Sequence, residues 1–256
     1  MNTPSNDLET RLRGEQAFHD AKYSGDDLYP RHYKVNPTAQ VYERMRDMLG
    51  NLENKRVLEY GCGEGWITRD LAARGAQVDA FDISEQGVHN TTEVLRKANL
   101  LERCTIRQMP AEQMSYPTGS FDLAVGFAIL HHLDLEKALS ELYRVLRPGG
   151  VAMFAEPLGT NPVINLYRRL TPQYRTVDER PLMLREFRKL VANFSSFTHH
   201  EYCLASLVSL AMLYVPVLNK GFEPVNRMLC RFDDWFIPKA GPLRNLAWYT
   251  VVVLQK

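Results

Sequence analysis

Residues 56–84 read RVLEYGCGEGWITRDLAARGAQVDAFDIS, and this stretch decides the fold. Residues 56–60 form a β-favouring run that leads into a turn with glycine at 61, 63 and 65, where the backbone can approach a ligand without obstruction by Cβ. The apolar spacing over residues 66–71 predicts a helix, and a second strand then ends near Asp82. The stretch therefore predicts a βαβ nucleotide-binding unit, with an acid about 20 residues past the first glycine, where it can hold ribose hydroxyls.

Two residues indicate which nucleotide this unit binds. A dinucleotide fingerprint needs glycine or alanine three residues after its second glycine so that helix and strand pack closely, but Trp66 occupies that position and disfavours NAD. Glu59, just before the turn, would repel a pyrophosphate and attract a cationic ligand. S-adenosylmethionine fits both observations, because it carries a ribose for Asp82, an ammonium and a sulfonium, and no phosphate.

With these motifs the sequence resembles the class I S-adenosylmethionine-dependent methyltransferases over roughly residues 55–157. Three further segments carry the resemblance: MPAEQM at 109–114, FDLAVGFAILHHL at 121–133 and LYRVLRPGG at 142–150. Pro110 departs from the pattern, since many relatives have aspartate there. The resemblance implies an α/β fold with a doubly wound, mostly parallel seven-stranded sheet and helices on both faces. It also implies a set of cofactor-binding residues: Glu59, Gly61, Cys62, Gly63, Asp82, Ile83, Ala111, Glu112 and Phe127.

The chain is predicted to form a single structural domain with two additions to the methyltransferase unit of residues 55–256. Residues 1–54 are predicted to form a helical lid, with caps at Asn6 and Thr38 and an aromatic loop between the helices; packing of this loop onto the core is the alternative. A cap insertion is predicted at about 204–245. It includes the apolar run 204–218, which is too short to span a bilayer. This run is interpreted as the wall of an acceptor pocket, with a buried edge helix or a dimer interface as alternatives.

Histidines and aromatic residues are the candidates for catalysis and acceptor binding. His131 and His132 follow the fourth strand, at the sheet edge where ligands bind, and are candidate bases; positioning of the loop is the alternative. Glu156 is either a weaker catalytic candidate or an ion-paired loop acid. The acceptor-contact candidates are Tyr23, Tyr33, Tyr167 and Tyr214. The mixed charges between 168 and 188 are predicted to form a solvated face.

Net charge and cysteine spacing limit the kinds of binding partner and the cellular location that are expected. The net charge of +1 over 256 residues provides no bulk attraction to nucleic acid. The four cysteines have no paired or metal-like spacing, and no signal-peptide pattern precedes the first helix, so reduced thiols, a cytoplasmic location and no metal are expected. Peripheral membrane contact and oligomerisation stay open.

The sequence thus predicts an S-adenosylmethionine-dependent methyltransferase that acts on a small, lipophilic acceptor and releases S-adenosylhomocysteine. O-methylation is favoured, followed by C- and then N-methylation. A membrane-surface lipid or quinone methyltransferase and a non-catalytic S-adenosylmethionine-binding protein are the alternatives.

Overall fold

A seven-stranded sheet forms the centre of the protein, in the order β3-β2-β1-β4-β5-β7-β6. The computed structural model describes residues 8–25 and 39–256, without the side chains of Tyr214 and Pro216. Only β7 runs antiparallel to its neighbours, β5 and β6, so the predicted α/β fold with a mostly parallel sheet is confirmed. The strands are β1 Arg56–Tyr60, β2 Gln77–Asp82, β3 Cys104–Gln108, β4 Phe121–Phe127, β5 Leu146–Pro157, β6 Ser196–Tyr202 and β7 Tyr249–Gln255.

Three helices begin at a residue whose side chain caps free backbone N–H groups, as at Ser84, Asp134 and Asn161. Ser84 accepts from Gly87 N, and Asn161 accepts from the two residues that follow Pro162. The helices within the described ranges are α1 Leu8–Tyr23, α2 Ala39–Met48, α3 Trp66–Ala73, α4 Glu85–Lys97, α5 Leu135–Val145, α6 Pro162–Leu170, α7 Leu184–Leu190, α8 Pro216–Asn219 and α9 Phe222–Phe236.

Two apolar clusters pack on opposite faces of the sheet. Leu58 and Tyr60 belong to one cluster with residues of α5 and α7, whereas Val57 belongs to the other with residues of α2 and α3. Because successive side chains of a strand point to opposite faces, this division places helices on both sides.

The order of the strands creates the position of a ligand site. Chain order runs outward from β1 through β2 to β3, and then returns to β4 on the other side of β1. Ligands of open α/β sheets bind outside the carboxyl ends of the strands at this change of direction. Glu59 in β1, Asp82 at the end of β2 and Phe127 at the end of β4 meet there.

Two regions differ from the sequence-based expectations. The Pro-Gly-Gly run at residues 148–150 is typical of a turn before a strand, but β5 already pairs with β4 at Leu146 and then shifts register. Gly149, with φ of 76°, takes up this irregularity. In the cap, the apolar run forms a 3₁₀ segment, Ser206–Tyr214, followed by α8.

Some predictions fall on residues that the structure does not describe. These are the caps at Asn6 and Thr38 and the loop aromatics Tyr29 and Tyr33. Among the described helices, none combines the length and the apolar character needed to cross a bilayer.

Candidate active site

A cavity of about 220 Å³ lies at the carboxyl ends of β1, β2 and β4, and α1 lies across it. Every residue that the resemblance assigns to the cofactor lines this cavity, together with Pro110 and several residues of α1. The sheet edge therefore brings together segments that are up to 68 positions apart, from Glu59 to Phe127.

The glycine turn and Asp82 form one hydrogen-bonded unit. Gly61 N and Cys62 N donate to the carbonyl of Phe81, at 2.9 and 3.0 Å. Gly63 N donates to Asp82 Oδ2 and Ser84 N to Oδ1, both at 2.9 Å. The carboxylate is held rigidly, and its remaining lone pairs can accept from ribose hydroxyls.

Glu59 is a buried carboxylate that lacks a partner of its own. Neither of its oxygens has a hydrogen-bond partner among the described residues. Burial raises the pKa of the Glu59 carboxyl to about 8; the nearby Thr68 hydroxyl opposes this rise, and the charge of Asp82 adds to it. A buried acceptor without a donor is costly, and the ammonium of a bound ligand would satisfy it. This orphaned group fits the methionine end of S-adenosylmethionine.

The α1 helix is tied to the core by side chains that sequence reasoning did not assign to the site. Arg11 Nη2 pairs with Glu112 Oε1 at 2.6 Å and donates to the carbonyl of His132 at 2.9 Å. At the other end of the helix, Ser84 Oγ donates to Asp20 Oδ1 at 2.5 Å. Glu112 Oε2 is buried and has no hydrogen-bond partner within the described ranges. It therefore remains open to a ligand donor.

His131 and Glu156 organise the loop that follows β4. His131 Nδ1 lies 2.7 Å from Glu156 Oε2, while Glu156 Oε1 accepts from Ile129 N and Leu130 N at 2.9 and 2.8 Å. Glu156 is fully buried and lines neither of the two cavities described here. Its contacts are those of a positioning residue.

His132 instead faces both the cofactor cavity and a second cavity beside it. Its Nδ1 lies 3.1 Å from Glu15 Oε2, and His19 Nε2 lies 3.5 Å from the same oxygen. Burial lowers the pKa of His132, and the neighbouring His131 adds to this effect. Burial alone would raise the pKa of Glu15, but its contacts with His132 and His19 hold that pKa below the usual range. The i, i+4 spacing of Glu15 and His19 was the only local signal for this cluster.

The second cavity has a volume of about 560 Å³ and lies between α6, the Ser206–Tyr214 segment and the start of β7. Its apolar wall includes Ile164, Leu207, Leu210 and Trp248. The residues that line both cavities are Lys22, Phe127, Ala128 and His132. A ligand in one cavity can therefore approach a ligand in the other at this junction.

The predicted acceptor tyrosines fall in different places. Tyr167 lines the second cavity, whereas Tyr23 lines the cofactor cavity, where a Cβ added to Gly63 would lie 2.7 Å from Tyr23 Oη. Tyr33 lies outside the described residues, as does the side chain of Tyr214. Tyr167 is thus the one predicted tyrosine that the described residues place in the larger cavity.

Part of the arginine-rich segment was wrongly predicted to be a solvated face. Arg168 Nη1 pairs with Glu179 Oε1 at 2.7 Å, and Arg175 Nε lies 3.8 Å from the same oxygen. The side chains of Arg168 and Arg175 are only 16% and 9% exposed, and both line the second cavity. Mixed charges usually remain in water, but here α6 folds over the cavity and buries them as pairs.

Aromatic rings surround the junction. Phe127 stacks on Tyr249 with a centroid separation of 5.8 Å and meets Trp66 edge-on at 5.9 Å. Trp66, which disfavours a dinucleotide in the sequence, also packs edge-on against Tyr42 at 4.5 Å. Aromatic faces attract cations, and a sulfonium at this junction would benefit from them.

Comparison with known proteins agrees with this geometry. Residues 58–154 match the family model described as a methyltransferase domain. Over these residues the chain is therefore similar to a methyltransferase domain.

Individual relatives show how far the similarity extends. The chain is 32% identical over 115 residues to 27-O-demethylrifamycin SV methyltransferase of Amycolatopsis mediterranei, a match that covers 44% of this chain and 42% of that enzyme. It is 35% identical over 114 residues to an S-adenosyl-L-methionine-dependent Diels-Alderase of Talaromyces variabilis, covering 43% and 39%. The chain thus spans about two fifths of the length of these curated relatives.

Among solved structures, the fold is similar to geranyl diphosphate C-methyltransferase of Streptomyces coelicolor A3(2). The TM-score is 0.63 at 12% identity, and the match covers 98% of this chain and 99% of that one. At this identity the likeness concerns the fold alone.

Proposed function

We propose that this protein is an S-adenosylmethionine-dependent methyltransferase whose acceptor is a small, lipophilic molecule bound in the second cavity. The observation that carries the proposal is the junction of the two cavities at Phe127, Ala128 and His132. Methyl transfer requires donor and acceptor to meet in line, so the main tasks of the protein are alignment and placement of charge.

The cofactor cavity supplies a partner for each polar end of the donor. Glu59 receives the ammonium, Asp82 holds the ribose hydroxyls, and Ala111 and Glu112 flank the adenine. The bound cofactor supplies an electrophilic methyl group on a sulfonium. Phe127 places its ring beside that cation, at the side that opens toward the acceptor.

His132 is the residue best placed to receive the proton of a hydroxyl acceptor. Its Nδ1 lies 3.1 Å from Glu15 Oε2, where the carboxylate stabilises the imidazolium that forms when the ring takes up a proton. Burial lowers the pKa of His132 and keeps the ring neutral, as a base requires. Glu15 is the positioning residue of this pair.

The residues that line the second cavity favour an apolar acceptor that carries a polar end. Ile164, Leu207 and Leu210 form an apolar wall, while Arg168 and Glu179 form a paired, charged wall. The nucleophilic atom would lie at the junction, near His132. Oxygen is the favoured nucleophile because a hydroxyl needs the base that His132 offers; carbon and nitrogen follow in that order.

The first experiment is calorimetric titration with S-adenosylmethionine and S-adenosylhomocysteine, with NAD as the control. Micromolar binding, about 8 kcal/mol, of the first two ligands and none of NAD is expected. Lipophilic phenols, carboxylic acids and indoles are then screened by mass spectrometry for the gain of one methylene unit. Cofactor binding without turnover across the panel would favour a non-catalytic binding protein, and binding of NAD would overturn the proposal.

A further inference from the structure

The α6 helix, Pro162–Leu170, has an apolar face where a surface helix normally has a polar one. Ile164, Tyr167 and Arg168 line the second cavity. The stripe at Val163, Leu166 and Leu170 is turned outward, and these side chains are 70%, 57% and 71% exposed. A surface helix normally places charged and polar residues on this side. The outward stripe therefore indicates a surface that has a partner.

The cap across the same cavity repeats this arrangement. Leu207 and Leu210 line the cavity, while the neighbouring Val208 is 71% exposed and Val217, in α8, is 87% exposed. The α6 helix and the cap, which form the two walls of the second cavity, thus both carry apolar side chains toward solvent as well as toward the cavity. Exposed apolar side chains on both walls of one cavity indicate an interaction site.

A third outward stripe lies on α9, Phe222–Phe236. Met228, Phe232 and Trp235 follow the i, i+4, i+7 spacing of one helix face and are all exposed. Lys239 Nζ lies 4.3 Å from the centroid of the Trp235 ring. Tryptophan and lysine side chains together are typical of residues at the boundary between lipid and water.

The charges around these stripes are mostly positive. In α6 and the cap, the only exposed acids among the described residues are Glu223 and Asp234, and Asp234 is paired with Arg44. The exposed cations of the same elements are Arg169, Lys220, Arg227, Arg231, Lys239 and Arg244. The whole chain has a net charge of only +1, so positive charge is concentrated on this part of the surface. Anionic lipid headgroups are attracted to such clusters.

We infer that α6 and the cap form a docking surface for an anionic bilayer, from which a lipophilic acceptor enters the second cavity. The inference deepens the proposed function and rests on it for the identity of the acceptor. The walls of the cavity and the docking surface belong to the same elements, so an apolar molecule could pass from lipid to the junction without crossing water. Helices of this type lie in the interface with their apolar face in the lipid.

The test is flotation of the full chain with vesicles of phosphatidylcholine, alone or mixed with phosphatidylglycerol. Binding to the mixed vesicles is expected to be stronger than binding to neutral ones and to weaken in high salt. The double variant Leu166→Glu/Leu170→Glu should bind at least about tenfold more weakly, because two exposed apolar contacts are replaced by charge. Leu101→Glu is the matched control. Leu101 is 38% exposed, but it lies just before β3, at the opposite edge of the sheet from β7 and β6.

Calorimetry with S-adenosylmethionine is run on each variant and distinguishes this inference from the proposed function. Retained cofactor binding in the double variant shows that the site is folded, so its loss of flotation is a property of the surface. Three results would overturn the inference: no vesicle binding by the unaltered protein, equal binding by the double variant, or a lipid-independent dimer that the double variant abolishes. The last result would assign the surface to a second copy of the chain.

Discussion

The sheet core and the outer layer of this protein follow different rules. The core comprises residues 55–157, β6 and β7; the outer layer comprises residues 8–25, 158–195 and 203–246. In the core, apolar side chains are inside and the cofactor residues come from strand ends. Among the described residues, every large apolar side chain that is exposed, except Leu101, lies in the outer layer. The outer layer also buries charged groups such as Glu15, Glu179 and Arg175.

This difference indicates that the core and the outer layer contribute to different parts of the function. The core is built to hold one cofactor, and its carboxylates are fixed by backbone donors such as Gly63 N. The outer layer closes the first cavity with α1 and builds the second cavity, the proposed acceptor site, from α6 and the cap. Substitutions in the core should therefore change cofactor affinity, whereas substitutions in the outer layer should change turnover and acceptor choice.

His132, where the two regions meet, should give the largest effect. We expect His132→Ala to lower kcat by about 10²–10⁴-fold for a hydroxyl acceptor, since a general base contributes about this much. Cofactor affinity should remain within a few-fold of the unaltered protein. His89→Ala, at an exposed position of α4, is the control in the same steady-state assay. Unaltered turnover in His132→Ala would remove the base from the mechanism.

Asp82 tests the core. We expect Asp82→Ala to weaken binding of S-adenosylhomocysteine by about 10- to 100-fold, because hydrogen bonds from ribose to a charged acceptor are lost. The measurement is calorimetric titration. Asp79→Ala is a demanding control: Asp79 lies in the same strand, but it pairs with Arg56 at 3.1 Å and lines neither cavity. Equal losses in both variants would point to general damage to β2 and contradict the ribose assignment.

Glu15 tests whether α1 contributes to the chemistry or only covers the site. Glu15→Gln should lower kcat about tenfold, because the carboxylate no longer stabilises the imidazolium of His132, and a loss of about one pKa unit is a factor of ten. The negative charge of Glu15 raises the pKa of His132, so its removal should shift the acidic limb of the kcat/KM profile to lower pH. A purely structural role would lower activity at every pH without moving that limb.

Leu210 tests the acceptor cavity. Leu210→Ala should raise KM for a lipophilic acceptor by about tenfold, because apolar contact area is lost, and should leave cofactor affinity unchanged. Leu243→Ala, at an exposed leucine of the outer layer that does not line the cavity, should leave KM unchanged. Steady-state kinetics across acceptors of different chain length would show whether the loss grows with acceptor size. An unchanged KM for every acceptor would show that Leu210 of the cap does not contribute to acceptor binding.

The smallest expected effect is at Glu59 and concerns the pH dependence of stability and of cofactor binding. In the empty protein its pKa is about 8, against a usual 4.5, so Glu59 is mostly protonated at neutral pH. Because the folded-state pKa is raised, the stability that this group contributes is present below pH 4.5 and is lost as the pH rises through about 8. Binding of a cationic ligand favours the ionised carboxylate, so cofactor binding near pH 7 should release a fraction of a proton.

The release is measured by calorimetry in buffers with different ionisation enthalpies. Glu59→Gln should abolish the proton release on cofactor binding. It should also remove the contribution of Glu59 to the pH dependence of thermal unfolding. Identical proton release in the variant would show that another group titrates on binding.

Much of the core could be predicted because its signals are local. The bounds of β1 match the predicted run at residues 56–60, since a buried parallel strand appears in sequence as a mainly apolar stretch. The glycine spacing and the two carboxylates then place the cofactor residues at one sheet edge. Their common location in one cavity agrees with that prediction, although their roles remain to be tested by the variants above.

The outer layer could not be predicted in the same way, because its important contacts join distant segments. Arg11 reaches Glu112, and Glu15 reaches His132, across more than 100 residues. Likewise, nothing in the local sequence distinguishes His131, held by Glu156, from His132, which faces both cavities.

The sequence by itself determined the class of fold, the turn that approaches the ligand and the carboxylates that suit a cationic nucleoside. Hydrophobic periodicity, glycine positions and charged residues act over a few residues, so they can be recognised directly in the sequence. Only the tertiary structure decided which histidine lies at the junction, that α1 contributes Glu15, and that α6 turns its apolar stripe outward while burying Arg168. These features depend on how distant segments pack against one another, and no short-range pattern encodes that packing.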